Sequence, residues 1–137
     1  MRPAARQPGF SLQRIYEDLD DRGSYRVLVD RLWPRGVKKD DAALDEWNKD
    51  VAPSAELRRW YGHDPAKFEE FARRYRDELS QPPASEAVAH LRSLAREQHV
   101  TLLTATRDVD RSGARVLHDH LEARGREALS KDNSSMC

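Results

Sequence analysis

The chain has 137 residues, enough for one domain with its own core. Charged side chains make up 35% of it and hydrophobic ones 38%, the balance of a globular chain with a strongly solvated surface, and its 24 basic and 24 acidic residues cancel. Zero net charge gives no long-range pull toward nucleic acid or an anionic membrane, and a single cysteine, Cys137, excludes a disulfide framework, a CxxC metal site and an internal thiol nucleophile.

Residues 1–9 are expected to form a disordered tail, because they are polar, carry Pro3 and Pro8, and lack the apolar segment of a secretory signal. A single α/β domain is expected over 10–125, and a second disordered tail over 126–137, where the sequence is small, polar and aperiodic. No apolar run approaches the roughly 18 residues of a membrane span, so the expected setting is the cytoplasm, with no membrane partner. The first strand is placed at Gln13–Glu17 and the second at Tyr25–Asp30, with the Asp-rich turn Asp18–Gly23 between them joining the two as an antiparallel hairpin.

Helices are expected next. Asp40 or Asp41 caps one that aligns Leu44, Trp47 and Val51, and Ser54 caps a short one bearing Leu57, Trp60 and Tyr61. Asp64-Pro65 starts a third, with Phe68, Phe71, Ala72, Tyr75 and Leu79 on one stripe, ended by Pro82-Pro83. Ser85 caps a fourth through Val88, Leu91, Leu94 and Ala95. Val100–Ala105 reads as a buried strand, followed by a polar loop and a fifth helix through Val116, Leu117 and Leu121 that stops at Gly125. The fold class is therefore α/β: a three-layer domain with a small, mostly parallel sheet and about five helices.

The most informative stretch is Val27–Gly36, an apolar strand that runs into Asp30-Arg31-Leu32-Trp33-Pro34-Arg35. Parallel strands separated by helices put their following loops at one edge, where ligands of open α/β sheets bind. Arg31, Arg35, Arg107 and Arg111 are candidate anion ligands, since a planar guanidinium matches two oxygens of a phosphate or carboxylate. Ser112 at a helix start and Trp33 join them as ligand-binding candidates. Asp30 and Asp108 are candidates to orient the arginines or act as a base, and His63 is a candidate for proton transfer. The competing structural reading is that Asp30 pairs with Arg107 or Arg31 to seal the edge, Trp33 and Pro34 simply pack, and Asp64 caps a helix rather than assisting His63.

Metal and cofactor chemistry finds no support. His118 and His120 stand two apart on a helix and face different directions, and no P-loop, GxGxxG, GxSxG or HExxH pattern occurs. Arg73, Arg74 and Arg76 interleave with Glu69, Glu70, Asp77 and Glu78 and read as a solvated helix face.

The string Tyr25-Arg26-Val27-Leu28-Val29-Asp30-Arg31-Leu32-Trp33-Pro34-Arg35-Gly36 resembles the signature of the YeaO-like bacterial proteins within domain-of-unknown-function family 488. The likeness continues through Trp47, Ala52-Pro53-Ser54, Leu57-Arg58, Trp60, Gly62-His63-Asp64-Pro65, Phe71, Tyr75, Glu78-Leu79 and Val100–Leu103. It implies a small cytoplasmic α/β protein and carries no established activity with it. Members of the wider family often bear cysteines after the late strand, where this chain reads Thr104-Ala105-Thr106-Arg107-Asp108. The strand–loop–helix also looks loosely like a rhodanese or cysteine-phosphatase loop. Without the thiolate it is expected to bind the anion such loops bind, not to attack it.

The leading expectation is thus a protein that binds an anionic small ligand, a phosphate-bearing one among the options, at the carboxyl edge of the sheet, with no cofactor. The alternatives are a nucleic-acid-associated protein whose Arg31–Lys39 loop tracks backbone phosphates, and a non-enzymatic interaction module. Whether a reaction occurs, and the oligomeric state, are left open by the residues.

Overall fold

The computed structural model describes residues 8–16, 23–38 and 43–123. Its centre is a four-stranded sheet in the order β1-β4-β2-β3 with every pairing parallel, formed by β1 (Gly9–Arg14), β2 (Ser24–Leu28), β3 (Glu46–Trp47) and β4 (His99–Thr104). β4 is buried along Val100–Thr104, whereas β1 and β2 are half-buried for much of their length. A strand covered on both faces takes the centre of a parallel sheet, and this is where β4 lies.

That central position overturns the expected hairpin. β1 and β2 do not pair with each other; each runs parallel to β4, on opposite sides of it. Their limits also shift toward the amino terminus, β1 beginning at Gly9 inside the expected tail. Most of the turn expected to join them, and most of both expected tails, lie outside the described residues.

The expected helix through Leu44, Trp47 and Val51 is likewise absent, and Glu46–Trp47 is a strand beside β2. Helical spacing loses here because the open edge of β2 captures the backbone: Asp45 N–H donates to the Arg26 carbonyl at 2.9 Å and Asn48 N–H to that of Leu28 at 2.9 Å. Glu46 is then held by Tyr25 Oη at 3.0 Å, Asn48 Nδ2 at 2.9 Å and His90 Nε2 at 2.8 Å.

Two of the expected cap signals, Ser54 and Asp64, are used as read. In α1 (Ala55–Tyr61) the Ser54 hydroxyl accepts from Leu57 N–H at 3.1 Å. Asp64 caps a 3-10 turn, Pro65–Lys67, that leads straight into α2 (Phe68–Leu79). α3 (Ala84–Glu97) starts with Pro83 at its cap position, so Ser85 lies inside its first turn rather than at its cap. α4 is helical over 113–123, and its expected stop at Gly125 lies outside the described residues. Four α-helices are thus seen among the described residues, against about five expected.

One core joins these parts. Val27, Val29, Val100 and Leu102 on one sheet face pack with Phe71, Tyr75 and Leu79 of α2, Val88 and Leu91 of α3, and Val116, Leu117 and Leu121 of α4. Apolar burial of this kind, at about 25 cal/mol per Å², is the main favourable term holding the domain together. α2 turns its other side to water, where Glu70 receives Arg73 and Arg74 and its carboxyl is held down to about 2, chiefly by the hydrogen bond from Arg73 and then that from Arg74. No helix of the described residues is long and apolar enough to cross a membrane.

Candidate functional site

Because every strand is parallel, the segments that follow β1, β2 and β4 emerge at one edge of the sheet. There they enclose a cleft of about 580 Å³. The two arginine-bearing loops do meet across it. The Asp30 carboxylate, just past β2, accepts from the Thr104 hydroxyl at 2.7 Å and from the Ala105 N–H at 2.7 Å, just past β4. Burial pushes the Asp30 carboxyl above its ordinary value, while the bonds from Ala105 and Thr104 and the nearby Arg58 charge act in the opposite direction. Neither Arg31 nor Arg107 supplies a hydrogen bond to this carboxylate. Asp30 ties the edge together, but through a backbone amide and a hydroxyl.

The loop after β2 is held at several points. Arg31 Nε donates to the Pro53 carbonyl at 3.0 Å, Trp33 Nε1 to the Val37 carbonyl at 2.6 Å, and Tyr16 Oη to the Arg35 carbonyl at 2.8 Å. Trp33 also meets Trp47 edge to face at 5.2 Å, and Trp47 Nε1 donates to the Asp30 carbonyl at 2.8 Å. The backbone that carries Arg31 and Arg35 is therefore fixed before any ligand arrives.

The opposite wall comes from α1, α2 and the start of α4. Tyr61 stacks on Phe71 at 4.2 Å, and its hydroxyl donates to the Arg111 carbonyl at 2.6 Å. Ser112 is the cap of α4, its hydroxyl donating to the Val109 carbonyl at 2.6 Å and accepting from Arg115 N–H at 3.1 Å. Gly113 follows because the helix start lies against Pro53: a Cβ there would come within 3.0 Å of the Pro53 ring and 3.6 Å of Phe71.

Of the residues singled out by sequence, Asp30, Arg31, Trp33, Arg35, His63 and Arg107 line the cleft, as do Asp108 and Ser112. Arg111 does not; its guanidinium lies 3.5 Å from Asp108 on the exposed side of the 3-10 turn Val109–Arg111. His63 is exposed and sits in the left-handed region with φ 57° directly after the Gly62 cap of α1, its ring 6.1 Å from Tyr61. Asp64 is engaged as a cap, accepting from Ala66 N–H at 3.0 Å, as the structural reading of that pair expects.

Sequence reasoning missed Arg58, Tyr61, Tyr16 and Thr106, which also line the cleft. Arg58 gave no local signal, because its neighbours on α1 (Ala55–Tyr61) mark only which positions are apolar and not which part of the sheet edge the helix crosses. Four arginines (31, 35, 58 and 107) thus face two aspartates (30 and 108). Among the described residues, the side chains of Arg35 and Arg107 form no hydrogen bond or ion pair.

The domain is thus an α/β fold with an all-parallel sheet and a cleft at its carboxyl edge lined by four arginines. The chain belongs to the domain-of-unknown-function family 488: residues 9–137 match the model described as the inactive DUF488-N3 subclade. It is 50% identical over 119 residues to an uncharacterized protein of Mycobacterium tuberculosis (strain ATCC 25618 / H37Rv), covering 87% of this chain and 98% of that one. An uncharacterized protein of Mycobacterium bovis shows the same 50% identity over 119 residues, again 87% and 98% of the two chains. The uncharacterized protein YeaO of Escherichia coli (strain K12) is 39% identical over 111 residues, 81% of this chain and 95% of its own. No solved structure matches the chain.

Proposed function

We propose that this protein binds an anionic small ligand in the cleft at the carboxyl edge of its sheet, and binds it without forming a covalent intermediate. The observation that carries the reading is the surplus of arginine over aspartate in the cleft, with Arg35 and Arg107 lacking a side-chain partner among the described residues. Asp30 is committed to the floor of the cleft, where its carboxylate accepts from Thr104 and Ala105 rather than from an arginine. The description of the matching subclade as inactive supports binding over turnover, and the lack of cysteine anywhere before Cys137 removes a thiolate nucleophile.

The test is a thermal-shift panel of phosphate, sulfate, sugar phosphates and nucleotides at two salt concentrations, run on wild type, Arg35→Ala and Arg107→Ala. A ligand held at about 100 times its Kd adds about 2.7 kcal/mol of stability. Stabilisation of wild type that both variants lose establishes the site. Silence across the panel, or shifts that survive in both variants, refutes it. A short oligonucleotide with steep salt dependence would turn the reading toward nucleic acid instead.

A further inference from the structure

We infer that the ligand of this cleft is a phosphate monoester that carries a planar ring, not an inorganic oxyanion. This deepens the proposal above and rests on its anion-binding reading.

The first observation is where the exposed apolar surface lies. Among the described residues, the large hydrophobic side chains left exposed are Tyr16 at 45% and Leu32 at 61%, and both line this cleft. Large apolar groups clustered at a concave site mark it for a ligand that covers them. An inorganic anion would satisfy the arginines and leave Tyr16 and Leu32 in water.

The second observation is size. A water takes about 30 Å³ of liquid, so an oxyanion of five heavy atoms leaves most of the 580 Å³ to solvent. That volume lies in the range of about 300–1,000 Å³ typical of sites for organic ligands.

The third is that the aromatic rings are held in place beside the cations. Tyr16 has its hydroxyl on the Arg35 carbonyl at 2.8 Å and the Arg14 guanidinium 4.9 Å from its ring. Trp33 is pinned by its own indole N–H at 2.6 Å and by Trp47. A wall ordered before binding loses little freedom when a ring stacks on it, and stacking tolerates any flat π-face. Arg35 and Trp33 belong to one short loop, so the anionic and ring portions of the ligand need be only a few bonds apart. An aryl phosphate, such as a phosphorylated tyrosine side chain, and a nucleoside 5′-monophosphate share this chemistry.

The experiment is calorimetric titration of inorganic phosphate, ribose 5-phosphate, phenyl phosphate, adenosine 5′-monophosphate and adenosine into wild type, Leu32→Ser and Arg107→Ala. At least one ring-bearing phosphate is expected to bind about tenfold or more tighter than ribose 5-phosphate and inorganic phosphate, a gain of the size stacking supplies. Leu32→Ser is expected to shrink that gain, and Arg107→Ala to weaken every phosphate. A lead for phenyl phosphate assigns an aryl source, and a lead for the nucleotide assigns a nucleotide source. Equal affinity for all four phosphates overturns the ring and leaves the anion site standing. If no phosphate binds, both readings fall.

Discussion

The Asp30 carboxylate and the Ala105 backbone N–H meet at 2.7 Å across the carboxyl edge of the sheet, 75 residues apart in the chain. Their contact closes the floor of the cleft and sets the spacing of the two loops that carry its arginines. Asp30→Ala would leave that N–H and the Thr104 hydroxyl without their acceptor, at a cost of about 1–3 kcal/mol. Asp30→Asn is expected to cost less, because its amide oxygen accepts from Ala105 while its NH₂ donates to Thr104, whose own hydroxyl has Thr106 Oγ1 at 3.2 Å. Urea unfolding of the three proteins, with an unchanged slope, checks the order wild type, Asn, Ala.

The same carboxyl predicts a pH dependence. Burial raises its pKa in the fold, so the native state holds this proton at pH values where the unfolded chain has released it. Its contribution is fully present below the unfolded aspartate pKa and falls as pH rises from there to the folded value. Asp30→Asn removes this term. The difference in stability between wild type and Asp30→Asn, followed by urea midpoint across mildly acid pH, should move in favour of the variant as pH rises. A constant difference would contradict the assignment.

Gly113→Ala is expected to destabilise by about 1 kcal/mol even though alanine is the better helix former. The new methyl would meet the Pro53 ring at 3.0 Å. Pro53 is buried and its carbonyl receives Arg31 Nε at 3.0 Å, so it yields little. Thermal unfolding measures the effect, and a rise in Tm would show that Pro53 moves aside.

Ser54 and Glu78 should act as a unit. Glu78 accepts from the Ser54 N–H at 2.9 Å and from its hydroxyl at 2.6 Å, while that hydroxyl accepts from Leu57 N–H at 3.1 Å. Ser54→Ala is expected to cost about 1–2 kcal/mol. A double-mutant cycle with Glu78→Ala should return a coupling of at least about 0.5 kcal/mol; strict additivity would mean the contact contributes nothing.

Arg35→Ala and Arg107→Ala are expected to leave unfolding free energy within about 0.5 kcal/mol of wild type, since both side chains are exposed and, among the described residues, unbonded. Their effect should appear only in the presence of ligand. A large loss of stability in the free protein would show that these arginines hold the fold rather than a ligand.

What could be read from the sequence was local. The caps at Ser54 and Asp64, the stripe through Phe71, Tyr75 and Leu79, and the buried run Val100–Thr104 are each specified by neighbours within a turn or two, so periodicity finds them. The two arginine loops were legible for the same reason: an apolar strand ending in charge and proline names its own carboxyl end. Arg58 and Tyr61 were not, because they reach the cleft only through the way α1 packs across the sheet edge.

The strand order was decided by the tertiary structure alone. A short turn between two strands permits a hairpin, and only the pairing of β4 with both β1 and β2 excludes it. Glu46–Trp47 shows the same limit, its helical spacing overridden by the free edge of β2. The sequence by itself determined an α/β domain with a mostly parallel sheet and arginines at the ends of its strands, since side-chain pattern and caps act within a few residues. That those ends converge on one cleft, with Asp30 turned to a backbone amide and Arg111 turned away, was decided by hydrogen bonds between residues tens of positions apart, which no local pattern encodes.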